Sequence, residues 1–304
     1  MLSPADGSAA SPSTKAAAVV LPRDATAGET IQLGIDACLT HLRPNEACWL
    51  AAEHPDCLHQ TRVSTRRLRA LLSLSRRLLR DDPVAMELKD RLRVTLMPLG
   101  PARDLDVALA RALEEGWADS DVDRLRRARA ATAETVREVL AGREWQRLWA
   151  DLEQWRHAPG WLGHVAAWRD GPARAVTDEA LDRRHRRVML AGPYLTRMSE
   201  HALHRVRIEG KKLRYGAQFF DTLYPDAGTR VTEDGRVLSV PLYFAEEVAV
   251  LQDAFGAFND RAVAVTLHRD LGLEHPLDDH RPSRDACVAA WTRVAALPPF
   301  WRQA

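Results

Sequence analysis

Leu58-His-Gln-Thr-Arg-Val-Ser-Thr-Arg-Arg-Leu-Arg69 and Leu203-His-Arg-Val-Arg-Ile-Glu-Gly-Lys-Lys-Leu-Arg214 carry one pattern twice. In each, a Leu-His pair is followed by a cation three, seven and ten residues after the histidine. The first set is His59, Arg62, Arg66 and Arg69; the second is His204, Arg207, Lys211 and Arg214. At about 100° per residue these offsets fall on one helical face, within an arc of roughly 80°. Leu68 and Leu213 hold the same relative position on the opposite side. The stretches therefore predict two helices, each with an apolar side and a cationic ridge, and one anion site built from both.

Outward from the ridges the sequence reads as helix after helix. Apolar spacing predicts a helix over 30–42, broken at Pro44, and a ridge helix over 56–80 with Pro55 in its first turn. Further helices are expected at 84–97, 103–115, 120–141 and 143–157, the last with Trp145, Trp149 and Trp155 at helical spacing. Helical patterning resumes near Ala173 and breaks at Gly192-Pro193; the second ridge helix spans about 199–223. Helices return at 242–256, 259–271 and 283–296. Between them, 224–240 reads as a loop with a short hairpin. No series of long strands is visible, so the class is all-α.

The repeat extends past the ridges. Leu99-Gly100-Pro-Ala-Arg103-Asp104-Leu-Asp-Val107 matches Phe255-Gly256-Ala-Phe-Asn259-Asp260-Arg-Ala-Val263, 45 residues downstream of His59 and 56 downstream of His204. Each glycine is expected to close one helix, and each following pair to cap the next. The expected organisation is a disordered tail over 1–26 and a domain over 27–300. Within it, two helical bundles (about 27–158 and 173–300) are related by a pseudo-twofold axis, with an insertion at 224–240.

Composition narrows the function classes. A hydrophobic content of 46% and charged content of 28% belong to a globular chain. The net charge of +1 conceals segregation: Cys57 to Arg80 holds seven arginines and no acid, whereas Glu246 to Asp285 holds nine acids against four bases. A basic patch in a near-neutral protein points to a local anionic ligand. The four cysteines form no Cys-x-x-Cys pair and read as reduced thiols of a cytoplasmic protein. No segment approaches a membrane span.

Arginine offers a rigid fork for phosphate oxygens, lysine a mobile point charge. Cations repeated along a helix suit a ligand with repeated anionic groups. Projection adds Arg77 and Arg80 to the first ridge, making it about 30 Å long at 1.5 Å per residue. An arginine-rich face on its own is ordinarily solvated surface, with acids at i+4 relieving repulsion. The first ridge has none, and the second only Glu209, off the cationic arc.

The paired His-x-x-Arg-x-x-x-[Arg/Lys]-[Arg/Lys]-Leu-Arg motifs and the Gly-x-x-[Arg/Asn]-Asp segments resemble the CHAD domain, the conserved histidine α-helical domain. The resemblance covers roughly residues 28–300, including Leu148 to Trp155 and the basic stretch Leu181 to Val188. It implies two pseudo-symmetric bundles enclosing a basic pore or groove. It also implies binding of inorganic polyphosphate and, in bacteria, association with polyphosphate granules. By position the polyphosphate-contacting cations are His59, Arg62, Arg66 and Arg69, with His204, Arg207, Lys211 and Arg214. Arg67, Lys212, Arg183 and Arg187 are subsidiary candidates, as is Arg77 at the ridge end; Arg67 and Lys212 project away from the other cations, toward backbone or acidic partners.

Rival chemistries fit less well. His59 and His204 could share a metal, but no His-x-x-x-His or Glu-x-x-His pair accompanies them and the arginines repel a cation. Nucleic acid is the stronger alternative, yet the ridges lack the interleaved aromatics of single-strand binders. A polyphosphate-processing enzyme would need carboxylates to hold Mg²⁺. Asp104, Asp106 and Asp260 are the acids in repeated context, and the first and last read as caps. The expectation is binding without catalysis, with no cofactor and no metal.

Overall fold

The computed structural model describes residues 13–277 and 282–302. Its first run of helices is α1 (Ala27–Ala52), α2 (Pro55–Leu74), the single turn α3 (Arg76–Leu79), α4 (Pro83–Thr95), α5 (Leu99–Glu114), α6 (Asp119–Ala141) and α7 (Arg143–Arg156). The second is α8 (Ala166–Arg169), α9 (Ala173–Met189), α10 (Glu200–Phe219), α11 (Val240–Leu271) and α12 (Arg284–Ala295). Between α10 and α11, β1 (Thr229–Val231) and β2 (Val237–Ser239) form an antiparallel hairpin, within the expected insertion. The protein is all-α apart from this hairpin among the described residues.

Helix α1 begins at a capping box: Thr26 accepts from the Glu29 backbone N–H, and the Glu29 carboxylate accepts from Thr26. It runs through Pro44, where a break was expected. A proline frees the carbonyl four residues earlier; here that carbonyl belongs to Thr40, and both residues are exposed, so water can satisfy it. Glu53, at φ 50°, then reverses the chain into α2. Gly34 lets α1 press against α2, since a Cβ there would stand 2.6 Å from Leu71 Cδ2.

The same reversal overturns the reading of all four cysteines as reduced thiols. It brings the Cα atoms of Cys48 and Cys57 to 6.0 Å, and the two form a disulfide; Cys38 and Cys287 are free and buried. A pair formed by a turn leaves no Cys-x-x-Cys trace.

The two motif helices, α2 and α10, lie against each other. Gly216 permits this, because a Cβ would meet Leu181 Cδ2 of α9 at 2.9 Å and Leu74 Cδ1 of α2 at 3.3 Å. Arg184 of α9, 4% exposed, locks the junction: its guanidinium donates to Glu209 of α10 (2.8 Å) and to the Ser73 carbonyl of α2 (2.9 Å). The main apolar core is continuous from Val19 to Trp301, so the two expected halves share it. A smaller core joins α5 and α6 to the end of α11 through Leu105, Trp117, Leu125 and Leu271.

Three further expectations change. The tail packs from residue 13: Thr14 exchanges hydrogen bonds with Asn45 of α1, Leu21 with Thr222 beyond α10, and Val19 and Leu21 are buried. Residues 1–12 lie outside the described residues. The ridge helix expected over 56–80 ends at Leu74, and Ser75 starts the separate turn α3. Residues 242–271 form one continuous helix rather than two.

Candidate anion-binding site

Each ridge stands on a helix held down by its apolar side. Leu58, Leu68 and Leu71 of α2, and Leu203 and Leu213 of α10, are at most 2% exposed. Hydroxyls on the buried flank of α2 bond to their own helix: Ser64 and Thr65 donate to the Thr61 carbonyl at 2.8 and 2.9 Å. The ridge cations themselves are half-buried.

The Gly-x-x-[Arg/Asn]-Asp segments do not end helices. Gly100 lies in the first turn of α5, and Gly256 lies in the middle of α11. What each glycine faces is a ridge arginine. A Cβ on Gly100 would stand 3.5 Å from Arg62 Nη1, and one on Gly256 would stand 3.2 Å from Arg207 Nη2. Arg62 and Arg207 are the same motif position, three residues after the histidine. Gly256 is therefore a slot that lets a guanidinium lie against a helix backbone; the one at Gly100 is looser, with Arg62 at ordinary contact distance from a Cβ. Arg207 Nε also donates to the Gln252 carbonyl (3.2 Å), and Arg66 Nε to the Arg62 carbonyl (3.3 Å).

Two hollows open along the ridges. One, of about 390 Å³, is lined by Arg66, Arg69, Lys89, His204, Lys211 and Lys212, with Tyr215. The other, of about 480 Å³, takes His59, Arg62, Arg103, Arg207, Asp104 and Asp260. Arg66 of the first ridge and Lys211 of the second line both hollows. Arg214 borders neither; its guanidinium lies over Tyr215, 5.2 Å from the ring centroid.

Burial first, and crowding of like charge after it, shift the titration of the site. Burial, then Arg207 and Arg66, bring the Lys211 ammonium down to about 7. Burial, then Arg103 and Arg66, bring His59 down to about 4. Arg62 falls to about 10 through burial and Arg66. His204 is lowered by burial and then by Arg207. Among the described residues, no carboxylate lies within 4.0 Å of Arg62, Arg66, Arg69, Arg207, Lys211 or Arg214.

The subsidiary candidates are placed differently. Arg77, beyond the Ser75 break, pairs with Glu179 and covers Trp168 at 3.9 Å; Arg80 pairs with Asp81. Arg183 also pairs with Glu179. Glu209 takes Arg184, Arg187 and Lys212. Arg67, 6% exposed, sits over Phe219 at 4.9 Å. Glu179 and Glu209 thus pair with these outer cations, whereas the inner ones have no carboxylate within 4.0 Å among the described residues.

Sequence reasoning missed Arg103, Lys89 and Asn259 as wall residues. Arg103 and Asn259 lie in the repeated segment, and the periodicity of Gly100, Arg103, Asp104 and Val107 within one helix was the available signal. Lys89, on α4, belongs to neither repeat. Among the described residues no three His, Cys, Asp or Glu side chains gather as a metal could require. No helix among them is long and apolar enough to cross a membrane.

An all-α domain built around two packed ridge helices is the class these observations define. The CHAD domain family model matches residues 34–269, and the chain belongs to that family, which is associated in general with polyphosphate binding. The crystal structure of the CHAD domain from the plant Ricinus communis is similar, with a TM-score of 0.73 at 24% identity over 94% of this chain and 97% of that chain. At that identity the likeness is one of fold. No curated protein matches the chain.

Proposed function

We propose that the protein binds inorganic polyphosphate without transforming it, gripping the chain in a basic groove or pore between the ridges of α2 and α10. One observation carries this reading: Arg62, Arg66, Arg69, Arg207 and Lys211 line two hollows that share Arg66 and Lys211, with no carboxylate within 4.0 Å of these cations among the described residues, while neighbouring cations outside are paired. Holding such like charges half-buried is unfavourable in the empty protein, and a bound polyanion adds attractions that offset that cost. Binding in the cytoplasm, and residence on polyphosphate granules, follow from this reading as proposals.

Long-chain polyphosphate should bind with an affinity that falls as salt rises, through screening and counterion release. Arg66→Glu with Lys211→Glu should abolish binding while leaving helical circular dichroism intact. Retained binding by that double variant, or equal affinity for single-stranded DNA of matched charge, would remove the specific reading. Orthophosphate release on incubation with a divalent metal would show an enzyme instead.

A further inference from the structure

The larger hollow is not cationic throughout. It lies between α5 and α11, and both helices present the same succession from the ridges outward. Asp104 of α5 is followed three and four residues later by Val107 and Ala108; Asp260 of α11 is followed at the same offsets by Val263 and Ala264, and then by Leu267. One helical turn is about 5.4 Å, so the lining changes within two turns from cations, through a pair of carboxylates, to a mainly apolar wall of Val107, Val263, Leu267, Trp117 and Leu273. The polar members of that wall are Arg111, paired with Glu115 at 2.7 Å, and His268, set edge-on to Trp117.

A polyphosphate chain is anionic along its whole length and gains little from the far half, where Arg111 is already paired with Glu115. The carboxylates would repel it, and the apolar wall offers it nothing. Asp104 and Asp260 make no ion pair within 4.0 Å among the described residues; Asp104 is raised by burial and by Asp260, against the pull of Arg62. A carboxylate held in this way is an acceptor for hydroxyl donors. The apolar turns beyond suit a flat, largely apolar face, and the volume of about 480 Å³ is that of a small-molecule site.

We infer that this hollow takes a nucleoside polyphosphate. The phosphates lie among Arg62, Arg66, Arg207 and Lys211, the ribose hydroxyls on Asp104 and Asp260, and the base against Val107, Val263 and Leu267. The inference rests on the ridges being the phosphate site, as proposed above, and adds an organic ligand that competes with the polyphosphate chain there.

The test is calorimetric titration of the full chain with ATP, tripolyphosphate and geranyl diphosphate, in chelator, with long-chain polyphosphate titrated in parallel. ATP should bind at least about tenfold more tightly than tripolyphosphate, since base burial and hydroxyl bonding add to the phosphate contacts. ATP should also displace labelled polyphosphate. Val263→Trp fills the apolar half without adding charge; it should weaken ATP by about tenfold or more and leave polyphosphate affinity unchanged. Tripolyphosphate binding as tightly as ATP would overturn the inference, because the organic part would then go unrecognised. Geranyl diphosphate matching ATP would overturn it too, since that ligand has an apolar tail and no hydroxyls. If polyphosphate binds and ATP fails, the inference falls and the polyphosphate reading stands. If ATP binds and polyphosphate fails, the reverse holds.

Discussion

Lys211 sits where the two ridges meet, surrounded by Arg62, Arg66, Arg207 and Arg214, and its ammonium is brought down to about 7. In the unfolded chain it titrates near the ordinary lysine value. Between roughly pH 7 and 10 the unfolded state therefore binds more protons, so this group makes stability rise with pH and weakens the fold as pH falls toward 7. Lys211→Met should remove that dependence and raise Tm at pH 7, by differential scanning calorimetry against the wild type. Polyphosphate affinity moves the other way. A bound polyanion favours the protonated amine, so binding should take up protons and weaken from pH 6 to pH 9. Buffer-dependent calorimetric enthalpies would reveal the uptake; an affinity flat across that range would mean Lys211 does not contact the ligand. His59, at about 4, adds its own uptake only in acid.

At the scale of elements, the glycine slots matter most. Glycine inside a helix costs roughly 1 kcal/mol relative to alanine, yet Gly256 occupies the middle of a 32-residue helix and packs on the Arg207 guanidinium. Gly256→Leu and Gly100→Leu should each displace a ridge arginine and lower polyphosphate affinity several-fold with helix content preserved. Unchanged affinity in both would show that the slots are incidental. The Cys48–Cys57 link joins α1 to α2 two residues before His59. Its reduction should cost about 2 kcal/mol, a fall in Tm of roughly 4–8 °C.

The elements were largely legible because apolar spacing at 3.6 residues survives in helices packed on one face. What the sequence hid were features that depend on what lies across the chain. Pro44 stays inside α1 at a point where both it and Thr40 are exposed. Gly256 reads as a helix end until Arg207 is seen beside it. Arg77 projects onto the ridge only if α2 continues, and Ser75 interrupts it. The ridge offsets were visible in the sequence; the partners Glu179 and Glu209, which divide outer cations from inner ones, were not.

For the whole molecule, the crowded, half-buried cations imply that the empty protein is held below its achievable stability. A polyanion that binds only the folded state adds RT ln(1 + [L]/Kd), about 2.7 kcal/mol at a hundredfold excess over Kd. Long-chain polyphosphate should therefore raise Tm by several degrees, and the gain should shrink in high salt. A Tm indifferent to polyphosphate would contradict the proposed function.

The N-terminal strap gives the molecule a timetable. Leu21 is bonded to Thr222, 201 residues further along the chain. At about 5–20 residues per second, the strap waits on the order of 10–40 s for that anchor to be synthesised. Until then Val19 and Leu21 lack the second half of their seat. The first ridge helix is thus made long before the strap that spans both halves can close, and the earliest-made segment of the described chain is among the last to reach its place.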